Sequence, residues 1–315
     1  MNKGQITIDG RADDWLALIP EPLVTQVDFE VSQRDGQRLA EPEPAQGDDF
    51  SLRVWAAWTP RYIYGFVWRR DDIHINQLDP SKGSSDPPFH NDRRRNDSFL
   101  IYIDADNSGL QRPTDPCADD RSELEERFGL AGKIVARLDL CEGESFMHEF
   151  GQSYTFVPQA PDGQLYAMGG INGMPVWPLR PPWVEAAGTL QLDGDGAVST
   201  MEFRAAHWDW LLPRTRGPEE TPHTVLAPQD TVSLGFAVYD YDRIGSPQAP
   251  THKDRQLTLA FWPRANQREL ARSDLTAAWV LAAPQNARTT IKRQSWGTIK
   301  RQTLHQPPGA KQGSR

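Results

Sequence analysis

Alternation of apolar and polar residues is the strongest signal in the chain. Phe50-Ser-Leu-Arg-Val-Trp-Ala-Ala-Trp58 places Phe50, Leu52, Val54, Ala56 and Trp58 on one face of an extended segment. Tyr62–Trp68 follows after Thr59-Pro60-Arg61, a connection of hairpin length. The same reading predicts strands at Ser98–Asp104, Lys133–Leu140, Ser153–Val157, Val198–Arg204, Val232–Tyr239 and Gln256–Trp262, with fainter alternation over 277–282 and 291–299. Helical patterning is thin. Ser122–Phe128 has Ser122 placed as an N-cap and Glu125 completing a capping box, and Ala205–Leu212 reads as a short helix stopped by Pro213. Met174–Trp183 is too rich in proline, which lacks a backbone donor, to be a central strand; it reads as a long surface loop carrying Trp177 and Trp183. Many short strands, Pro- and Gly-rich turns and no long helices predict an all-β fold, an antiparallel β-sandwich with short helical insertions.

No internal repeat and no dividing linker is visible in the 315 residues. The expected organisation is one elaborated domain over 1–283, a terminal strand or extension over 284–303, and a disordered basic tail over 304–315. Charge supports that division. The net charge is −9, yet Pro284–Arg315 holds seven Lys and Arg and no acid. An acidic body argues against general nucleic-acid binding. No apolar run approaches the roughly 18 residues of a membrane-spanning helix. The first thirty residues show no signal-peptide pattern, so an extracytoplasmic location is expected only if the chain is a mature fragment.

Catalytic signatures are absent: there is no G-x-S-x-G, no P-loop and no G-x-G-x-x-G. His148-Glu149 opens like a zinc-protease helix, but position 152 is Gln rather than a second His. The expectation is a non-enzyme. Cys117 and Cys141 are too few for a zinc site of the Cys-rich kinds; they would close one loop outside the cytoplasm or stay reduced inside it. Asp104-Ala-Asp106-Asn-Ser108-Gly109 spaces oxygen ligands two residues apart before a turn glycine, a pattern suited to Ca²⁺ through Asp104, Asp106 and Ser108. The same residues also make an ordinary Asp/Asn/Gly turn. Asp240-Tyr-Asp242 repeats the alternate-acid spacing, with ion pairing as its other reading.

Aromatic residues supply the remaining chemistry. A flat indole offers a rigid apolar surface with a polar tip, which suits the C–H faces of sugar rings. Phe89, Trp177, Trp183 and Trp262 are the candidate carbohydrate contacts, whereas Trp15, Trp55 and Trp58 read as core.

Three stretches then carry a family resemblance. Ile8-Asp9-Gly10…Asp14-Trp15 comes first, followed by Arg61-Tyr-Ile-Tyr-Gly-Phe-Val67 with Asp71-Asp72, and then Asn96-Asp97-Ser98-Phe-Leu-Ile-Tyr-Ile-Asp104. Together they resemble the opening of family 9 carbohydrate-binding modules. Met201-Glu-Phe-Arg204, Gly235–Asp240 and Leu259–Trp262 resemble the closing strands of that family. The resemblance implies a DOMON-like β-sandwich, of jelly-roll or immunoglobulin-like type, that binds carbohydrate without catalysis. Where that family carries Trp, Glu and Arg, this chain has Phe89, Leu100 and a position near Thr155. Two other functions stay open. One is a haem-binding DOMON-like electron-transfer subunit with axial ligands among Met147, His148, Met168 and Met174. The other is an extracytoplasmic sensor or scaffold domain that binds a protein partner.

Overall fold

The computed structural model describes residues 6–34, 37–45, 47, 50–75, 96–105, 107, 152–158, 165–168, 177–179, 181–209, 217–221, 223–243, 256–262, 277–281 and 291–293. Two antiparallel sheets face each other across one apolar core. The first has the order β1(Val24–Thr25), β4(Phe50–Trp58), β5(Tyr62–Asp71), β10(Gly196–Ala206), β9(Val184–Asp193). The second runs β3(Gln37–Pro44), β2(Glu30–Arg34), β12(Gln256–Trp262), β11(Thr231–Arg243), β6(Ser98–Asp104), β7(Gln152–Phe156), β8(Leu165–Met168). β13(Ala277–Leu281) pairs with the start of β11, and β14(Ile291–Arg293) pairs with β13. The fold is the expected all-β sandwich. Among the described residues no helix is long and apolar enough to cross a membrane.

The β4–β5 hairpin shows how pattern becomes packing. Phe50, Leu52, Val54, Ala56 and Trp58 all enter the core between the sheets. Trp55 and Ala57 point to the opposite face, where they pack with Trp15 and Phe66. Thr59 and Tyr62 exchange backbone hydrogen bonds across the three-residue turn, which fixes the register Trp58↔Ile63. Gly65 is required opposite β10: a Cβ there would lie 2.1 Å from the ring of Phe203.

Trp15 sits on α1(Asp13–Leu18), which covers the outer face of the first sheet. A carboxylate fastens this cover. Glu202 on β10 is fully buried; its Oε2 accepts the backbone N–H of Asp9 and of Gly10, both at 2.8 Å, and its Oε1 accepts Trp15 Nε1–H at 2.7 Å. Gly10 has φ +78°, and a Cβ on it would meet Gly188 Cα at 2.9 Å. The Ile8-Asp9-Gly10…Trp15 and Met201-Glu202 motifs are thus two halves of one contact.

The helix expected over Ala205–Leu212 does not form where the chain is described. Ala205 and Ala206 complete β10 by pairing with Ile63 and Tyr62, and His207–Asp209 are not helical. The Gln152 side chain holds that exit extended: its amide N–H donates to the Ala206 carbonyl, and its Oε1 accepts Trp208 N–H at 3.0 Å. The helix at 122–128, the strand at 133–140, both cysteines, and the basic tail from 304 lie outside the described residues.

Candidate functional site

β5 places Tyr62, Tyr64, Phe66 and Trp68 at alternate positions on the face turned away from the core. At about 3.3 Å per residue this row of rings spans about 20 Å. At its Tyr62 end the described parts of the Pro-rich segment, a turn at Trp177–Leu179 and a cis peptide at Pro181–Pro182, bring Trp177 and Trp183 against Ala206 and Trp208. There Trp177, Trp183 and Trp208 form a three-indole nest. Trp177 meets Trp183 edge-on at 6.0 Å and Trp208 at 4.9 Å, and Trp183 lies 5.3 Å from Trp208. Trp208 is buried, whereas Trp177 and Trp183 remain partly exposed.

Polar groups surround these rings. The Arg61 guanidinium lies 4.1 Å from the Trp208 ring centre and 5.5 Å from that of Trp183. Burial lowers its pKa, against the attraction of Asp209. Tyr62 donates its hydroxyl to the Pro182 carbonyl at 3.1 Å, and the ring of exposed His223 lies 5.9 Å from Trp208. Arg204 stands 5.0 Å over Tyr62 and pairs with Glu185 across β9–β10. His207, beneath the nest, is buried, which pushes its pKa down to about 4. At the Trp68 end of the row, a groove of about 540 Å³ is lined by Leu16, Glu21, Arg53, Trp55, Phe66 and Trp68, with Arg53 5.1 Å from the Trp68 ring centre.

The predicted contacts therefore divide. Trp177 and Trp183 are brought together and joined by Trp208, Arg61 and Tyr62, none of which the sequence marked as a carbohydrate contact. Trp262 is not a surface platform: it is 1% exposed, stacked on Phe236 at 5.5 Å and covered by Trp279 at 5.1 Å. It ends β12, but β13 brings Trp279 over it, so the strand end is core rather than rim. Phe89 lies outside the described residues. Asp104 closes β6 as expected and is 1% exposed, and Asn107 beyond it has φ +50° and accepts the Ser233 hydroxyl at 2.6 Å. Asp106 and Ser108 lie outside the described residues, as do Met147, His148 and Met174; Met168 belongs to β8.

Between the two sheets lies a buried charge cluster centred on Arg69. Its Nη2 is 2.6 Å from Asp71, also pairs with Asp240, and is 3.7 Å from Asp97. Its Nη1 donates to the Tyr239 carbonyl at 3.2 Å. Asp240, the first of the alternate acids of β11, thus pairs with Arg69 of β5 across the sandwich. Burial pushes Asp71 up to about 8, because Arg69 only partly offsets desolvation and the repulsion from Asp97, Asp242 and Asp72.

No family model and no curated protein matches this chain. Its fold is similar to solved structures of a carbohydrate-binding module of family 9 from Caldicellulosiruptor kristjanssonii. The complex of that module with cellotriose is 10% identical, with a TM-score of 0.43, over 90% of this chain and 92% of that one. The complex with glucose is also 10% identical, with a TM-score of 0.39, over 87% and 90%.

Proposed function

We propose that the chain is a non-catalytic carbohydrate-recognition domain that binds glycans at the Trp177–Trp183–Trp208 nest. The observation that carries this reading is the pairing of two partly exposed indoles on a buried third. That arrangement fixes the rings without consuming their outer surface, so the ordering entropy of a platform is already met before ligand arrives. Arg61, Tyr62, Arg204 and Glu185 put hydrogen-bonding groups around the rings, as recognition of a hydroxylated ligand requires. The fitting ligand is a neutral or weakly acidic oligosaccharide, its apolar ring face against indole and its hydroxyls toward the charged side chains.

A glycan array followed by calorimetric titration of the best soluble hit tests this reading. Trp183→Ala and Trp177→Ala, each with an unchanged far-UV circular dichroism spectrum, should weaken binding at least tenfold. An array without hits, or binding that both variants retain in full, overturns it.

A further inference from the structure

We propose that Asp71, His74 and Asp97 form a binding site for one divalent transition-metal ion, with Zn²⁺ the best fit. Each offers one donor atom, and the three donors lie within 4.8 Å of one another. Donors bound to a common ion at about 2.0–2.2 Å stand no more than about 4.4 Å apart, so the set closes on a cation with a small adjustment.

The donors come from two parts of the fold, the end of β5 with the segment that follows it and the approach to β6. Asp71 ends β5 in the first sheet, and Asp97 precedes β6 in the second. His74 is held between them: its backbone N–H donates to the Asp195 carbonyl at 2.8 Å, and its Nδ1 lies 3.2 Å from Asp97 Oδ2. Asp97 is fixed in turn. Its N–H donates to the Ile75 carbonyl at 3.0 Å, its Oδ2 accepts the Ile75 N–H, and its Oδ1 accepts the Tyr241 N–H at 2.7 Å. Hydrogen bonds of this kind orient ligands before a metal arrives.

Two further observations point to a ligand. The side chain of His74 is 7% exposed, yet among the described residues its Nε2 is buried without a hydrogen-bond partner, and Asp71 Oδ1 is buried in the same state. Charge adds the second reason. Asp71, Asp97 and Asp240 are all at most 4% exposed and, among the described residues, converge on the single guanidinium of Arg69. Clustered buried carboxylates repel one another, and a divalent cation bound between them relieves that repulsion. A cavity of about 420 Å³ whose lining includes Ser51, Arg70, Asp71, Asp72 and Asp193 provides an approach to Asp71. Imidazole nitrogen beside two carboxylates favours Zn²⁺ over Ca²⁺, which takes oxygen donors. This is a different site, and a different ion, from the Ca²⁺ turn expected at Asp104–Ser108.

Calorimetric titration of EDTA-stripped, desalted full-length chain with ZnCl₂, MnCl₂ and CaCl₂ tests the assignment. One Zn²⁺ should bind per chain, with Mn²⁺ weaker and Ca²⁺ weaker still. Free Zn²⁺ at a hundredfold excess over its dissociation constant should raise the melting temperature by about 5 °C. His74→Ala, which leaves the Arg69 pairs intact, should lower Zn²⁺ affinity at least tenfold and change the visible spectrum of the Co²⁺-loaded chain. His223→Ala, which removes an exposed imidazole, should change neither. Absence of one-site Zn²⁺ binding in the parent chain, or affinity and Co²⁺ spectrum unaltered by His74→Ala, overturns the proposal.

Discussion

Replacing Glu202 by Gln gives a quantitative test of how the N-terminal cover is held. The substitution keeps volume and shape but removes titration and one acceptor. Glu202 is surrounded by three donors, from Asp9, Gly10 and Trp15, so an amide must turn its own NH₂ toward one of them. Losing one hydrogen bond to a charged group costs about 1.5–3 kcal/mol. Against this stands the cost of burying the carboxylate, which outweighs its three hydrogen bonds and pushes its pKa from near 4.5 up to about 7. Because the folded pKa lies above the unfolded one, this group's contribution to stability is complete below about pH 4.5 and is lost as pH rises through 7. Integrating the two titrations, the parent chain gains about 2.5 kcal/mol on going from pH 8 to pH 5 from this residue alone. Glu202→Gln lacks that gain. Near pH 8 the lost hydrogen bond and the relieved desolvation nearly cancel; at pH 5 the variant should be about 2.5 kcal/mol further below the parent. Urea unfolding of both proteins at the two pH values, followed by circular dichroism and tryptophan fluorescence, measures the difference. Equal destabilisation at both values, within about 0.5 kcal/mol, would show that burial does not govern this carboxylate.

Two more outcomes follow from the fold. His207 has the opposite linkage: its folded pKa of about 4 lies below the ordinary 6.5, so its contribution is complete above 6.5 and lost as pH falls through 4. His207→Gln should remove up to about 3 kcal/mol of that acid-side loss, seen as a flatter melting temperature between pH 6.5 and 4. Gly65→Ala forces a methyl to 2.1 Å from the Phe203 ring and should destabilise by about 1–3 kcal/mol in urea; a neutral result would mean that Phe203 swings aside at no cost.

Strict alternation made the central strands legible. β4 and β5 were readable because each has one face in the core between the sheets and Thr-Pro-Arg between them. β9 was missed because most of Val184–Asp193 is partly or fully exposed, so no burial alternation marks it. Its strand character comes from pairing with β10 along its whole length, a tertiary cause absent from local sequence. Trp177 and Trp183 stood out for lying among prolines, which keep a chain at the surface. Trp208 was read inside an expected short helix and Arg61 in a hairpin turn, so neither was marked as a contact. Trp262 ends its strand and so read as accessible, but β13 pairs with β11 just beyond that end and brings Trp279 against it.

The nest also carries a lesson about assembly. Its parts come from the β4–β5 turn, from the exit of β10, and from the Pro-rich segment, while the side chain that fixes its buried floor, Gln152, comes from β7 in the other sheet. Arg61 Nη1 reaches the His207 carbonyl across 146 positions of sequence, and Gln152 reaches Trp208 across 56. Such contacts form only after both sheets have closed, since each one requires a long loop to be ordered first. The platform is therefore a late product of folding and cannot be cut out as a peptide. Any ligand that binds there only when both sheets are closed would stabilise the whole sandwich by mass action rather than the nest alone.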